Sequence, residues 1–405
     1  MTTSTTRPGT PQSAPRSAAR APVHDLVVLS HLRWTWVWQR PQHLVSRFAS
    51  ARAAAGAATY FVEEPVAARV NRPEIQAVDC GGGVTRIWLA IPEPEADGPT
   101  PGFNAPGAQD YGRLLGDFFR EHDRELRFPD VLLYTPMAHD IAVALQPGCL
   151  AYDVMDDLAS FAEAPQGLKL RQRRLLDEAD VVFTGGRSLH RLVAAHRGLD
   201  CHLFPSGVDT AHYASAIALR RPHHRPVAGY VGVLDERLDL GLVAGLAAAL
   251  PSWTLRMVGP VAKIDPNRLP QAPNIEYPGQ VDYAALPTVM AGLDVALMPF
   301  ALNKATQSIS PTKTLEYLAA GLPVVSTRVP DVVTDYGNIV RLADDAAGFA
   351  TACWDALSWS TAERDRWLRV AGKRQEWDVI AAEMADLLQG ARAASAETLT
   401  SAAMA

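Results

Sequence analysis

Net positive charge, cysteine and long apolar runs are what this sequence has least of. Its 405 residues carry 38 Lys and Arg against 44 Asp and Glu, a formal net charge of −6, so the broad positive field that general nucleic-acid binding requires is missing. The four cysteines, Cys80, Cys149, Cys201 and Cys353, lie at least fifty residues apart. That spacing provides neither a disulfide framework nor a metal knuckle, and it fits a reducing compartment such as the cytoplasm. No apolar run reaches the roughly 18 residues of a membrane-spanning helix; the longest, around Leu240 to Leu250, is short and rich in Gly and Ala. Residues 1–22 consist largely of Thr, Ser, Pro, Ala and Arg, without the apolar centre of a secretory signal, and read as a disordered leader. The rest, in a chain that is 48% apolar and 20% charged, has the composition of a soluble globular enzyme of two or three domains.

Short apolar runs alternate with segments of helical periodicity, which predicts an α/β chain with parallel sheets. Strands are expected at Asp25–Ser30, Thr59–Glu63, Val84–Leu89, Val131–Tyr134, Leu150–Val154 and Val181–Thr184. After the polar, basic stretch that contains His223 and His224 the alternation restarts, at Val227–Val233, Thr254–Val258, Ile275–Tyr277, Val295–Pro299 and Pro323–Thr327. The pattern predicts two doubly wound domains facing across a cleft, at 23–212 and 227–372, joined by a linker at 213–226. Ligands in such sheets sit beyond the carboxyl ends of the strands. A long amphipathic stretch, Thr361–Gln389, carries Trp367 and Trp377. Its end, 373–390, is expected as a helix that either terminates the chain plainly or crosses back onto the first domain, with a flexible tail at 391–405.

The densest information lies in Ser310-Pro311-Thr312-Lys313-Thr314-Leu315-Glu316-Tyr317-Leu318-Ala319-Ala320-Gly321-Leu322-Pro323-Val324-Val325. Ser310 suits an N-cap, Pro311 the first helical position and Gly321 a helix stop, so a helix over Pro311–Ala320 followed by a buried strand is predicted. Amides at that helix start favour an anion, and Lys313 adds a full charge suited to a diphosphate. Glu316 shares a face with Lys313. A carboxylate there is repelled by phosphate and better placed to accept hydrogen bonds from a ribose diol. A surface Lys-Glu pair on a capped helix is the plainer alternative.

This segment resembles the donor-nucleotide segment of GT-B glycosyltransferases. His31-Leu32-Arg33-Trp34, Trp38-Gln39-Arg40-Pro41-Gln42-His43-Leu44, Tyr152-Asp153-Val154-Met155-Asp156-Asp157, Phe204-Pro205-Ser206-Gly207-Val208-Asp209 and Gly229-Tyr230-Val231-Gly232-Val233 are similar to a bacterial subgroup of teichuronic-acid or cell-envelope glycosyltransferases. The likeness spans most of 24–390. It implies that the second domain holds a nucleoside-diphosphate sugar and the first the acceptor. It further implies that Lys313 contacts the diphosphate and Glu316 the ribose, with Ser310, Pro311 and Thr312 around the phosphates. Gly232 would let its loop approach the pyrophosphate, and Gly259 with the segment Val281 to Tyr283 would line the base pocket. Tyr283 is either a base contact or a packed surface aromatic. The chain departs from retaining relatives twice. Ser308 stands where they carry a glutamate, and Val233 follows the first-strand glycine where an arginine is usual. Arg237 then replaces a missing cation, beside the added negative charge of Glu236 and Asp239.

Glycosyl transfer needs a stabilised leaving diphosphate and an activated acceptor hydroxyl. For the second, Asp153, Asp156 and Asp157 follow a predicted strand toward the cleft. Asp156 is the candidate base, unless it and Asp157 only cap the next helix. His139 follows another strand and either orients a sugar or is a satisfied buried histidine. Arg33, Trp34, Arg40, His43 and Asp157 are the acceptor-side candidates. No metal-ligand spacing is present, and the resemblance implies no metal or other cofactor beyond the donor substrate. The resulting expectation is a cytoplasmic glycosyltransferase that moves a sugar, carried by UDP, to a cell-envelope polysaccharide, glycolipid or related acceptor. The basic cluster Lys169, Arg171, Arg173 and Arg174 is either a solvated face or a peripheral contact with anionic lipid on the inner membrane face. The rivals are a catalytically degenerate GT-B scaffold subunit and a nucleotide-sugar epimerase.

Overall fold

The computed structural model describes residues 23–93, 101–122, 126, 128–161, 164, 166–358, 360, 362 and 375–404. The expected leader at 1–22 and the part of the C-terminal stretch that contains Trp367 lie outside them.

The first half builds β1 (Leu26–Ser30), β2 (Thr59–Glu63), β3 (Val66–Ala68), β4 (Glu74–Asp79), β5 (Val84–Pro92), β6 (Asp130–Leu133), β7 (Cys149–Val154), β8 (Val181–Thr184) and β9 (His202–Leu203). They form one sheet in the order β3-β5-β2-β1-β6-β7-β8-β9, with β4 antiparallel to β5 and every other pair parallel. The second half builds β10 (Val227–Val231), β11 (Thr254–Val258), β12 (Ile275–Gly279), β13 (Val295–Met298), β14 (Val324–Ser326) and β15 (Arg341–Leu342), parallel throughout in the order β12-β11-β10-β13-β14-β15. Each predicted run forms a strand with its ends moved by at most three residues. The strands not foreseen, β3, β4, β9 and β15, are short or carry an exposed polar edge, as β4 does.

Helices cover both faces of each sheet, so the central strands are buried on both sides and read as continuous apolar runs. All five residues of β1 are buried, as are all five of β10. Chain order reverses at β1 in the first sheet and at β10 in the second. The loops after these two strands therefore open onto the switch-point crevices, where ligands bind in this architecture.

Two boundaries differ from expectation. Residues 213–219 belong to a helix, Thr210–Leu219, whose Tyr213 and Ala216 are part of the second half's core. Only 220–226 connects irregularly; the basic composition after Leu219 masked a helix that already belongs to the second half. The terminal helix runs Trp377–Met404, so 391–404 are helical rather than a loose tail, in keeping with their alanines. This helix lies on the first sheet: Trp377, Ile380, Met384 and Leu388 share a core with Leu26, Val28, Val45 and Phe48. The chain thus crosses between the halves twice, and the crossings touch. Val208 N donates to Gln375 O at 2.7 Å, and Trp377 N to Val208 O at 3.3 Å.

Gly207 sits where the crossings meet. A Cβ there would lie 2.8 Å from both Gln375 O and Trp377 Cδ2 and 2.9 Å from Ile380 Cδ1. Gly207→Ala should therefore destabilise the protein by about 1–3 kcal/mol, as overpacking does, and loosen the terminal helix. Urea unfolding and protection of the Trp377 indole from quencher are the measurements; an unchanged midpoint refutes this account of the crossing.

Candidate functional site

An empty volume of about 840 Å³ lies between the halves, at the carboxyl ends of β1, β7, β10 and β13. Gly232 directly follows β10. A Cβ on it would lie 2.2 Å from Lys313 Nζ and 2.3 Å from Lys313 Cε, so the glycine makes room for the ammonium at the switch point. Gly259, after β11, makes room in turn for Gly232, since its Cβ would fall 1.9 Å from the Gly232 carbonyl oxygen. Lys313 Nζ also faces the Tyr230 ring, 5.5 Å from its centre. Burial lowers the Lys313 pKa, an effect the nearby Glu316 carboxylate opposes. Burial raises that of Glu316, against the pull of Lys313 and a hydrogen bond from the Tyr213 hydroxyl.

The helix that presents Lys313 runs Thr312–Ala319, one residue shorter at each end than predicted. Ser310 is not its N-cap. Pro311 holds that position without a side-chain cap, and the Ser310 hydroxyl instead meets Ser206 Oγ of the opposite crossing at 2.7 Å. Two of the first-turn amides are internally engaged, Thr312 N with Ser310 O at 2.9 Å and Thr314 N with Pro311 O at 3.0 Å. The helix start still points into the cleft, with Ser310, Pro311, Thr312, Lys313 and Glu316 on its wall.

Glu316 and Lys313 also border a second volume of about 1140 Å³ that holds Gly259, Val281 and Tyr283, with Trp36 and Trp38 from the first half. The Tyr283 ring stacks on Trp38 (centres 4.9 Å apart, 20° between planes) and on His212 (4.2 Å, 10°). Two rings nearly parallel to it at these separations make Tyr283 a packed aromatic, although it still lines this volume. Arg237 is likewise less available than expected. Asp235 grips it twice, Nε to Oδ1 at 3.0 Å and Nη2 to Oδ2 at 2.6 Å. Burial works against that guanidinium's charge, but the Asp235 carboxylate outweighs it and holds the pKa above the ordinary arginine value. Asp239 adds no stray charge, since its Oδ1 caps the next helix at Leu242 N, 2.8 Å away.

A third volume, about 1310 Å³, opens on the first-half side and is shared by His31, Glu64, Thr135, Asp156, Phe161, Arg237 and Lys263. Asp156 borders both this volume and the Lys313 cleft. Its pKa is raised by burial and pulled back by Arg237 and Lys263. Burial also raises Glu64 to about 7, against Arg33, and lowers His31 to about 4, with Lys263 adding to the effect.

Several predicted residues serve the frame instead. Asp157 accepts the Ser160 hydroxyl at the start of a 3-10 turn, Leu158–Ser160. The fully buried His139 ring joins Glu178 through Nε2 at 2.8 Å and lies outside the walls of the cleft. Arg33 donates to Glu63 Oε2 at 3.3 Å and to Pro65 O at 2.9 Å, while Trp34 N donates to Glu63 Oε1 at 2.7 Å and the Trp34 ring packs on Phe61. Both are turned into the loop rather than toward a ligand. Arg40 edges the cleft, but its guanidinium is engaged by Asp153 (2.7 Å) and Phe204 O (2.8 Å). His43 stacks on Trp377 (4.9 Å, 9°), and burial depresses its pKa to about 3, which keeps the ring neutral. Glu64, Asp235, Phe161, Lys263 and Tyr213 were not foreseen. The available signal was position, for Glu64 and Lys263 each lie just beyond the carboxyl end of a strand next to a switch point.

Because Arg40 and Asp153 are both buried, Arg40→Ala leaves an unpaired carboxylate and should cost about 3–5 kcal/mol. Asp153→Asn in the same background should recover part of that loss, as read by denaturant midpoints; simple additivity of the two changes would refute the pairing.

Residues 225–358 match the family described as Glycosyl transferases group 1. The Bacillus subtilis teichuronic acid biosynthesis glycosyltransferase TuaH is 26% identical over 210 residues, which cover 50% of this chain and 51% of that one; the match thus spans about half the length of this curated relative. Among solved structures, an alpha,alpha-trehalose 6-phosphate synthase from Burkholderia multivorans superposes with a TM-score of 0.61 at 16% identity, over 92% of this chain and 100% of that one. The Anabaena protein HepE, solved with UDP and glucose, gives 0.61 at 14% identity, over 91% and 100%. These likenesses carry the fold, and the matched domain coincides with the half that presents Gly232, Lys313 and Glu316. The chain has the two-domain fold of the GT-B glycosyltransferases, and its residues 225–358 form a domain similar to the Glycosyl transferases group 1 family.

Proposed function

We propose that the protein transfers a sugar from a nucleoside-diphosphate sugar, with UDP as the carrier, to a carbohydrate or lipid-linked acceptor of the cell envelope. The observation that carries this reading is the Lys313 ammonium seated on Gly232 at the switch point, with Glu316 on one side and the cleft leading to Asp156 on the other. UDP is supported by the neighbours solved with UDP and glucose or with UDP-2-fluoro glucose, and the envelope role by the name of TuaH.

In this reading Lys313, aided by the Asp235-held Arg237, takes the charge that develops on the departing diphosphate, and Glu316 receives the ribose hydroxyls. Asp156 accepts the acceptor hydroxyl proton as the acceptor oxygen bonds to the anomeric carbon and the bond to the diphosphate oxygen breaks. No cofactor enters beyond the donor, and no nucleic acid is a partner. The enzyme works in the cytoplasm, at the inner face of the plasma membrane where a lipid-linked acceptor is presented. No helix among the described residues is long and apolar enough to cross a membrane. Of the basic cluster, Arg171 pairs with Asp140 and Arg174 with Glu178, which leaves Lys169 and Arg173 for any lipid contact.

The test is UDP release with candidate acceptors. Lys313→Ala should lose about 10²–10³-fold in kcat and Asp156→Asn about 10²–10⁴-fold, with UDP binding weakened only by the first. UDP binding without turnover under any acceptor favours the scaffold reading, and sugar interconversion without acceptor the epimerase. A further outcome follows from the lowered Lys313 pKa. A bound diphosphate stabilises the ammonium, so UDP affinity should fall as pH rises through the free-enzyme pKa, below the usual lysine value of 10.5. Calorimetry in buffers of different ionisation enthalpy should show proton uptake on the alkaline side, and Lys313→Met should abolish it. Uptake that persists in the variant refutes the assignment.

A further inference from the structure

The pocket shared by His31, Glu64 and Asp156 is built mostly by the first half, yet four of its charged residues, Asp235, Glu236, Arg237 and Lys263, arrive from the second. Lys263 lies five residues beyond β11 and has a backbone φ of +58°, in the left-handed region that a lysine seldom occupies. The loop that carries it is tied to the loop after β10, with Leu234 N donating to Pro260 O at 2.9 Å and Ala262 N to Leu234 O at 3.1 Å. From this anchored position the side chain crosses the cleft, and its Nζ sits 4.3 Å from the centre of the Phe161 ring. Arg237 approaches the same ring at 5.9 Å. Phe161 directly follows the 3-10 turn Leu158–Ser160, in the same connection that opens with Asp156. Two cations of the nucleotide-binding half therefore meet on one aromatic ring of the other half, close in the chain to the candidate base.

We propose that Lys263 is a positioning residue of the transfer reaction: seated on Phe161, it carries a positive charge from the nucleotide-binding half into the acceptor pocket, beside Asp156 and Glu64, so that the pocket is electrostatically complete only when the two halves are apposed. This inference rests on reading the site as one for glycosyl transfer.

The cations that face Asp156 are Arg237 and Lys263, and the anions are Asp235 and Asp157; His31, Glu64 and Glu236 line the same pocket. Arg237 is already held by Asp235, whereas Lys263 has an aromatic face as its seat. A cation on a ring keeps its charge for its surroundings, while a cation locked to a carboxylate is largely neutralised by it. Burial raises Asp156 and Glu64, and Lys263 works against both rises, together with Arg237 at the first and Arg33 at the second. The same charge adds to the burial that keeps His31 unprotonated. Lys263 thus opposes, from across the cleft, the rise that burial imposes on Asp156, and favours its carboxylate form while the halves are apposed.

The test uses the full chain as wild type, Lys263→Gln, Lys263→Arg and Phe161→Leu. The Asp156 carboxyl is followed by carbon-13 NMR with and without UDP, and Asp156→Asn assigns the signal. In Lys263→Gln the Asp156 midpoint should move up by about half a pH unit or more, and Lys263→Arg should restore it. Phe161→Leu, which unseats the ammonium without deleting it, should move the midpoint in the same direction. The acid limb of kcat/KM should rise with the Asp156 midpoint, while UDP affinity stays within about twofold. An Asp156 midpoint unmoved by Lys263→Gln or by Phe161→Leu overturns the proposal. So does a loss of UDP affinity in Lys263→Gln of the size seen for Lys313→Ala, which would make Lys263 a donor contact. If wild type fails to bind UDP, the donor reading falls instead, and the carboxyl titration still decides the role of Lys263.

Discussion

The seat of one ammonium shapes the second half of this protein. Lys313 can reach the switch point only because residue 232 has no side chain, and the Gly232 carbonyl can lie where it does only because residue 259 has none. A lysine drawn out of water is unfavourable unless an anion compensates it. The one carboxylate that bears most on it, Glu316, is itself buried and fastened to Tyr213. The pair is thus placed before any ligand arrives, so the charge that the proposed diphosphate would meet is already in position. Such pre-organisation is what an electrostatic catalyst requires, because groups that must reorient at the moment of reaction lose much of their effect.

The first half answers with rigidity. Its loop after β1 hangs on the fully buried Glu63, which accepts Arg33, Trp34 N and both Nε and Nη2 of Arg86. That anchorage fixes the neighbouring Trp36, Trp38 and Gln39 on the cleft wall. The two halves then meet through aromatic contacts, Trp38 stacked on Tyr283 and His43 edge-on to the same ring, and through the touching crossings at Val208 and Gln375. Flat rings can slide on one another with little change in contact area, whereas the crossings leave no slack beside Gly207.

Much of this architecture was readable from residue order alone. Parallel strands buried on both faces announce themselves as apolar runs, and the chain around Ser310 to Val325 carried its helix stop, its cation and its buried strand in plain view. The lost features share a cause, which is that a residue's type does not say which way its side chain faces. Arg33, Trp34, Arg40 and His43 sit in motifs beside the cleft, yet buried partners on other elements, Glu63 and Asp153 on strands and Trp377 on the terminal helix, draw them into the frame. His139 was drawn away in the same manner by Glu178. Glu64 and Lys263 carried no signal beyond their position after a strand, and Phe161 none, because their meeting depends on two sheets folding toward each other. Ser310 looked like a cap, but the opposite crossing offered its hydroxyl a partner in Ser206.

For the proposed transfer, geometry discriminates among the titratable groups that face the open volumes more strongly than basicity does. His31, lowered to about 4, stays neutral through the physiological range, but it borders only the first-half pocket. Glu64, raised to about 7, has the basicity best matched to neutral pH; it borders the same pocket and not the Lys313 cleft. Asp156 alone of the three touches both volumes. In the proposed transfer the base must stand in the acceptor pocket and also reach the Lys313 cleft, where the donor diphosphate is assigned. Asp156 satisfies both conditions at once. In the proposed reaction Glu64 and His31 would face the remainder of the acceptor, where a carboxyl group near its midpoint and an unprotonated ring can each donate or accept a hydrogen bond.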